Sequence, residues 1–220
     1  MSNVIDAGSG KHFFIDHRYF DRSDGIRLCM NPARQSPEPV MRADNPWEAM
    51  GISGYNTVIR EGEDRFRLWY GALFISGYPQ EGAVRLCYAE SDDGITWHKP
   101  QLNLVTFQGS TANNIVAPLD ERQSMQGATV YIDERASVDE RYRLWTKFQP
   151  ADAEIEAGVQ PGLWAMHSPD GIHWTYDDNQ PNPPNQMCDT QNVFFWDDQH
   201  DCYVGYTRVH ETQRRDEAAE

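Results

Sequence analysis

The sequence predicts an all-β chain built from repeated four-stranded antiparallel units. Three observations carry that expectation. The phrase Ser-x-Asp-Gly-Ile-x-Trp occurs at residues 91–97 and again at residues 168–174, 77 residues apart. Arg65-Phe-Arg-Leu-Trp69 recurs as Arg141-Tyr-Arg-Leu-Trp145, 76 apart. No segment sustains a 3.6-residue apolar period, whereas short runs rich in β-branched and aromatic residues alternate with turn residues. Two phrases recurring in the same order at nearly the same offset mark a repeated structural unit.

Aligned on these anchors, the elements follow in order. The first unit starts at Asn56-Thr-Val-Ile-Arg60, turns through Glu61-Gly-Glu-Asp64 and returns as Arg65-Phe-Arg-Leu-Trp-Tyr70. After a loop come Val84-Arg-Leu-Cys-Tyr-Ala89, the Asp93-Gly94 turn and a fourth strand at Ile95-Thr-Trp97. Asp-Gly suits a tight turn because it tolerates positive φ, and Ser91 can bond turn backbone. The second unit starts at Ala128-Thr-Val-Tyr-Ile132, returns at residues 141–146, and continues through Gly162-Leu-Trp-Ala-Met166, Asp170-Gly171 and Ile172-His-Trp174. A fainter third unit pairs Asn192-Val-Phe-Phe-Trp196 with Cys202-Tyr-Val-Gly-Tyr-Thr207. Trp97 and Trp174 are expected to pack on a neighbouring unit. The acidic turns between first and second strands are expected to be solvated hairpin tips.

Four-stranded units repeated in sequence are the signature of a β-propeller, whose blades pack radially around a channel. A β-sandwich also explains many short strands, but not the recurrence of the same phrases at the same place. The expected organisation is a single partial propeller domain over residues 1–220. Its parts are a lead-in with an N-terminal strand (1–50), blade 1 (51–110), blade 2 (111–180) and a partial blade 3 (181–220). Units of about 70 residues, five to a ring, need roughly 350 residues. The chain holds 220, so about two and a half blades and a C-terminally truncated ring are expected.

Composition narrows the partners. The formal charge is −15, which repels phosphate backbones and anionic lipid, so neither nucleic acid nor membrane is an expected partner. The N-terminus lacks a basic region followed by a long apolar run, and no stretch approaches twenty apolar residues. The expected location is therefore cytoplasmic, or secreted or periplasmic if the native N-terminus differs. Cys29, Cys87, Cys188 and Cys202 contain no Cys-x-x-Cys pair and are expected to be free thiols. No metal or cofactor motif is present, so none is expected. The oligomeric state is open.

The Ser-x-Asp-Gly-x-x-Trp phrase resembles the turn motif of five-bladed propellers related to glycoside hydrolases, a group with invertase-like, levansucrase-like and arabinanase-like members. The run FFIDHRYF, followed by Asn-Pro-Ala-Arg, Asn45-Pro-Trp-Glu48, Arg-Leu-Trp-Tyr, CYAESDDGITWHKP and NNIV, is similar to bacterial family 32-like glycosyl hydrolases over roughly residues 11–208. The invertase-like signature Trp-Met-Asn-Asp-Pro-Asn-Gly is absent, which directs the expectation away from fructosidase activity. The resemblance implies a carbohydrate-active hydrolase with an oligo- or polysaccharide substrate. Its acid/base carboxylates would come from different blades and flank the scissile bond.

Candidate residues lie near the starts of the inner strands, at 53–56, 125–128 and 188–191. Asp189 is the leading catalytic candidate, because the matching slots of the other units are not acidic; a turn cap is its alternative. Glu48, beside Trp47 as a sugar platform, and Asp16, within FFIDHRYF, complete the catalytic set; surface placement, or for Asp16 a pair with Arg18, are the alternatives. Asp120, with the adjacent Glu121, and Arg208 are the candidate substrate-binding residues. Asp197-Asp-Gln-His-Asp201 looks like a metal loop, but a solvated hairpin tip explains it. The rival to hydrolysis is a non-catalytic propeller module that binds a glycan or a protein; an inactive fragment is a third possibility.

Overall fold

The computed structural model describes residue 8 and residues 12–75, 82–177 and 191–208. The chain divides into two units, Met1–Pro39 and Val40–Glu220. In the first unit, residues 13–15 form no strand. A lone strand has no neighbour to take its backbone groups. The segment instead turns, with Phe20 N–H donating to the His17 carbonyl at 3.0 Å. Tyr19 sits edge-on to both His12 and Phe14.

The regular structure of the second unit is chiefly antiparallel sheet. The first sheet has the order β1 (Gly51–Arg60), β2 (Phe66–Leu73), β3 (Val84–Ser91) and β4 (Ile115–Ala117). The second has β5 (Ser124–Ile132), β6 (Tyr142–Gln149), β7 (Gly162–Ser168) and β8 (Thr175–Tyr176) in the same order. A two-stranded hairpin follows, β9 (Val193–Asp197) and β10 (Cys202–Tyr206). Among the described residues, helix is limited to a short α1 (Asp152–Glu156) and two single 3-10 turns at Pro46–Glu48 and Val138–Glu140.

Two expected boundaries move. The first strand of each sheet begins earlier than the apolar run suggests, at Gly51 and Ser124, because each carries a register shift, between Ile52 and Asn56 and between Gln126 and Thr129. A bulge breaks the alternation that marks a strand in sequence. The fourth strands are also not at 95–97 and 172–174. Asp93 Oδ1 accepts the N–H groups of Ile95 and Thr96 at 2.7 and 2.6 Å. Asp170 Oδ1 accepts those of Ile172 and His173 at 2.8 and 2.9 Å. Donors spent in a turn cannot enter a ladder. Pairing resumes at Thr175–Tyr176 in the second sheet. In the first sheet it resumes as the Glu90–His98 bridge and, after a loop, as Ile115–Ala117, so residues 115–117 belong to the first sheet.

The two turns are built alike. Ser91 Oγ and Ser168 Oγ each accept the glycine N–H at 2.9 Å, and Gly94 and Gly171 have φ of 72° and 74°. Glycine adopts that conformation without a Cβ penalty.

Alternation of side chains puts the two faces of the first sheet in two cores. Trp69, Leu86 and Tyr88 pack with Val130, Leu144 and Met166 of the second sheet and with Trp174 of its turn. Leu68, Tyr70, Cys87 and Ala89 pack with Trp47, Val105 and Phe107, and Trp97 lies against this second cluster. On the outer face of the second sheet, Trp145 stacks on Phe194 with ring centroids 4.3 Å apart. The sheets and hairpin of this unit therefore pack face to face.

The repeated phrases meet at the joint between the sheets. Trp69 Nε1 donates to the Gly171 carbonyl at 2.7 Å. Arg67, buried, donates through Nε to the Tyr88 hydroxyl at 2.9 Å, through Nη1 to the Tyr142 hydroxyl at 2.8 Å, and through Nη2 to the Asp170 carbonyl. The acidic turns are not simply solvated. Glu61 accepts from the Tyr142 hydroxyl and pairs with Arg67, and Asp133, buried, accepts from the Tyr203 hydroxyl at 2.7 Å. Cys29, Cys87 and Cys202 are free thiols; Cys188 lies outside the described residues.

Candidate functional site

Among the sequence candidates, Glu48 has the most defined surroundings. It ends the 3-10 turn Pro46–Glu48 and is 1% exposed. Its Oε2 accepts from the backbone of Asp44 and Asn45 and from Lys99 Nζ, the last at 2.9 Å. Its Oε1 accepts from the Tyr70 hydroxyl at 2.6 Å. Burial, reinforced by the Cys87 thiol and Glu48, pushes the Tyr70 phenol far above its ordinary range. A carboxylate with both oxygens engaged anchors the lead-in to β2.

Trp47 is likewise built into the core. Its Nε1 donates to Asn114 Oδ1 at 2.9 Å, and its ring meets Phe107 edge-on at 6.1 Å. Asp16 lies in the other unit, where it accepts the Arg18 N–H at 2.9 Å and faces its guanidinium at 3.8 Å. Arg208 is exposed two residues beyond β10. Asp189 lies outside the described residues. Asp197 accepts from Gln199 N–H and faces His200 at the β9–β10 turn. Among the described residues no three His, Cys, Asp or Glu side chains are grouped to hold a metal ion.

The loop entering β5 contributes to a recess of about 330 Å³ lined by Phe74, Ile75, Gly82, Arg85, Phe107, Gln108, Glu121 and Arg122. It lies where the end of β2, the start of β3 and the connection from β4 to β5 converge. Val84 N–H donates to Ser124 Oγ at 2.9 Å, tying β3 to β5 at its edge. Arg85 is 1% exposed. Its Nη1 donates to the Gln123 carbonyl, and its Nε has no hydrogen-bond partner. Burial lowers its pKa to about 10, with Cys87, Glu121 and Asp120 acting against that fall, so the group remains a cation at neutral pH. Opposite charge is at hand: Glu121 Oε2 accepts the Gln108 N–H at 2.7 Å.

Asp120 does not line this recess directly. It accepts from Arg122 Nε and Nη2 at 3.2 and 2.8 Å, and those bonds hold its carboxyl below the usual range. The pair fixes Arg122 at the rim. Gly82, with φ of 70°, packs against the Glu121 backbone; a Cβ there would lie 2.8 Å from the Glu121 carbonyl. The result is a fixed cation, a carboxylate and two phenyl rings in one concavity of ligand size.

Sequence reasoning named Glu121 and Asp120 but passed over Arg85, which sits inside an apolar strand run. The signal was present: aligning Ser91 with Ser168 sets Arg85 against Gly162, a break in the repeat. Comparison with known protein families and with curated proteins finds no match for this chain. Among the described residues, no helix is long and apolar enough to cross a membrane.

Proposed function

We propose that this chain is a carbohydrate-active β-propeller module of the glycoside hydrolase-like kind and that its saccharide contacts the Arg85–Glu121 recess. Two sheets with the same internal order, a register shift in the first strand of each and the same Ser-x-Asp-Gly turn support successive blades. The observation that carries the ligand reading is the recess itself. The exposed Glu121 and Arg122 offer acceptors and donors to sugar hydroxyls over the buried Arg85 cation, and Phe74 and Ile75 offer apolar surface to sugar C–H groups.

Hydrolysis would need two carboxyl groups about 5–10 Å apart across the bond. Asp189 is the residue on which that reading rests. A second reading, a glycan-binding module without hydrolysis, is favoured by Glu48, whose oxygens are both taken by framework donors.

The test is reducing-sugar release from a panel of neutral oligosaccharides, arabino-oligosaccharides included, by wild-type protein and Asp189→Asn. Release by wild type and its loss in the variant supports the hydrolase. Binding by calorimetry without release supports the binding module. Neither binding nor release contradicts both.

A further inference from the structure

The joint between the first and second sheets is an assembled contact whose parts can be matched one by one at the next joint. In the first joint, Glu61 and Arg67 hold the Tyr142 hydroxyl, while Arg67 and Trp69 donate to the carbonyls of Asp170 and Gly171. Ile172, within the same turn, packs against the shared core. In the second joint, Asp133 accepts from Tyr203 just as Glu61 does from Tyr142, and Trp145 occupies the place of Trp69.

The second joint is only half reproduced. Arg143 pairs with Glu140 and Asp177, and its Nε is buried without a hydrogen-bond partner. In the first sheet the corresponding Nε of Arg67 is satisfied by the Tyr88 hydroxyl; the second sheet has Ala165 at that place. Among the described residues no Ser-x-Asp-Gly turn lies on Arg143 and Trp145. The first sheet carries a second such turn, whose Asp92, Asp93, Ile95 and Thr96 are exposed. The turn at residues 91–97 has the same internal bonds as the docked one. Asp93 is exposed, and Ile95, the counterpart of the packed Ile172, is 65% exposed.

We propose that a second copy of this chain docks its 91–97 turn onto Arg143 and Trp145, head to tail. The carbonyls of Asp93 and Gly94 take the N–H donors of Arg143 and Trp145, and Ile95 is covered. The template is the contact already formed within the chain between Arg67, Trp69 and the turn at 168–174. Because the two patches are different surfaces, the contact is heterologous and extends or closes into a ring according to the rotation between copies. With a formal charge of −15 on each copy, long-range repulsion opposes the encounter, and added salt strengthens the association.

Sedimentation velocity on the full chain tests this. The wild-type protein is expected to form dimers or larger species by about 100 µM, and Ile95→Glu and Arg143→Ala to weaken that association about tenfold or more. An equimolar mixture of the two variants retains one intact donor turn and one intact receiving patch, and is expected to give a species of dimer mass and none larger. Ile95→Glu alters an exposed side chain and keeps the test valid if Arg143→Ala fails to fold. Wild-type protein that stays monomeric, or Ile95→Glu that associates like wild type, overturns the proposal.

Discussion

The indole N–H of Trp69 donates to the carbonyl oxygen of Gly171 at 2.7 Å, so the middle of the first sheet is bonded to the turn of the second. The two phrases that repeat in the sequence are thus the two halves of one joint. Their recurrence reflects the need to fasten each sheet to the next. It leaves the chemistry to positions where the repeat fails.

Glycine at that turn is required by contact as well as by conformation. A Cβ on Gly171 would lie 2.6 Å from Trp69 Cζ2 and 3.2 Å from Tyr142 Cδ1. On Gly94, with nearly the same φ, its nearest neighbour would be Phe66 at an ordinary 3.6 Å. Gly94→Ala is expected to cost about 1–2 kcal/mol from backbone strain alone. Gly171→Ala is expected to cost about 1–3 kcal/mol more from overpacking. Urea unfolding of the two variants measures the difference; equal losses would contradict the docked turn.

Arg67 serves four oxygen partners from a buried position, and no other side chain supplies that planar fork of donors. Arg67→Met is expected to lose about 3–5 kcal/mol, because Glu61 and two tyrosine hydroxyls lose their cation. Arg67→Lys should recover only a minor part. Denaturant midpoints of the three proteins give the comparison, and full rescue by lysine would mean that charge alone matters there.

The Glu48–Lys99 pair is a framework contact, with side chains 0% and 13% exposed. Glu48→Gln is expected to cost about 1–3 kcal/mol, because the buried carboxylate that Lys99 and the Asp44 and Asn45 N–H groups share is lost, although Lys99 keeps the Asp44 carboxylate and the Arg42 carbonyl. Combining it with Lys99→Met should cost less than the sum of the single changes. Additive losses in chemical denaturation would contradict the pairing.

Acid weakens the turn. Burial alone would raise the Asp170 carboxyl, but the His173 N–H and ring, the Ile172 N–H and the Ser168 hydroxyl outweigh it and bring it down to about 2, from an ordinary 3.8. A folded-state pKa below the unfolded one gives stability that is present above about pH 4 and lost as pH falls toward 2. Glu61 adds to the same trend. Burial raises it, but the bonds from Tyr142 and Arg67 prevail and hold it below its ordinary 4.5. The melting temperature of wild type is expected to drop steeply below pH 4, and Asp170→Asn to start lower at pH 7 and fall less. Parallel curves would remove Asp170 from the joint.

The strand order of each sheet was legible because Arg-Leu-Trp and Ser-x-Asp-Gly fix the register of four elements at once. The fourth strands were misplaced because the sequence does not reveal that Asp93 and Asp170 consume the N–H groups that follow them. The bulges before Asn56 and Thr129 hid the true strand starts by breaking alternation. At the site, Glu48 and Trp47 read as a catalytic carboxylate and a sugar platform because the partners that build them into the framework, Lys99 and Asn114, are distant in sequence. Arg85 was hidden within an apolar run, although its counterpart Gly162 marks it as a departure from the repeat.

That the chemistry sits where the repeat breaks is tested most directly by calorimetric titration of arabino-oligosaccharides and other neutral oligosaccharides into wild type, Glu121→Gln and Asp93→Asn. Glu121 faces the recess, and Asp93 belongs to the repeated turn. The expected result is binding to wild type and Asp93→Asn with equal affinity and a loss of about tenfold, roughly 1.4 kcal/mol, in Glu121→Gln. Equal binding by wild type and Glu121→Gln, or no binding by any of the three, would contradict the account.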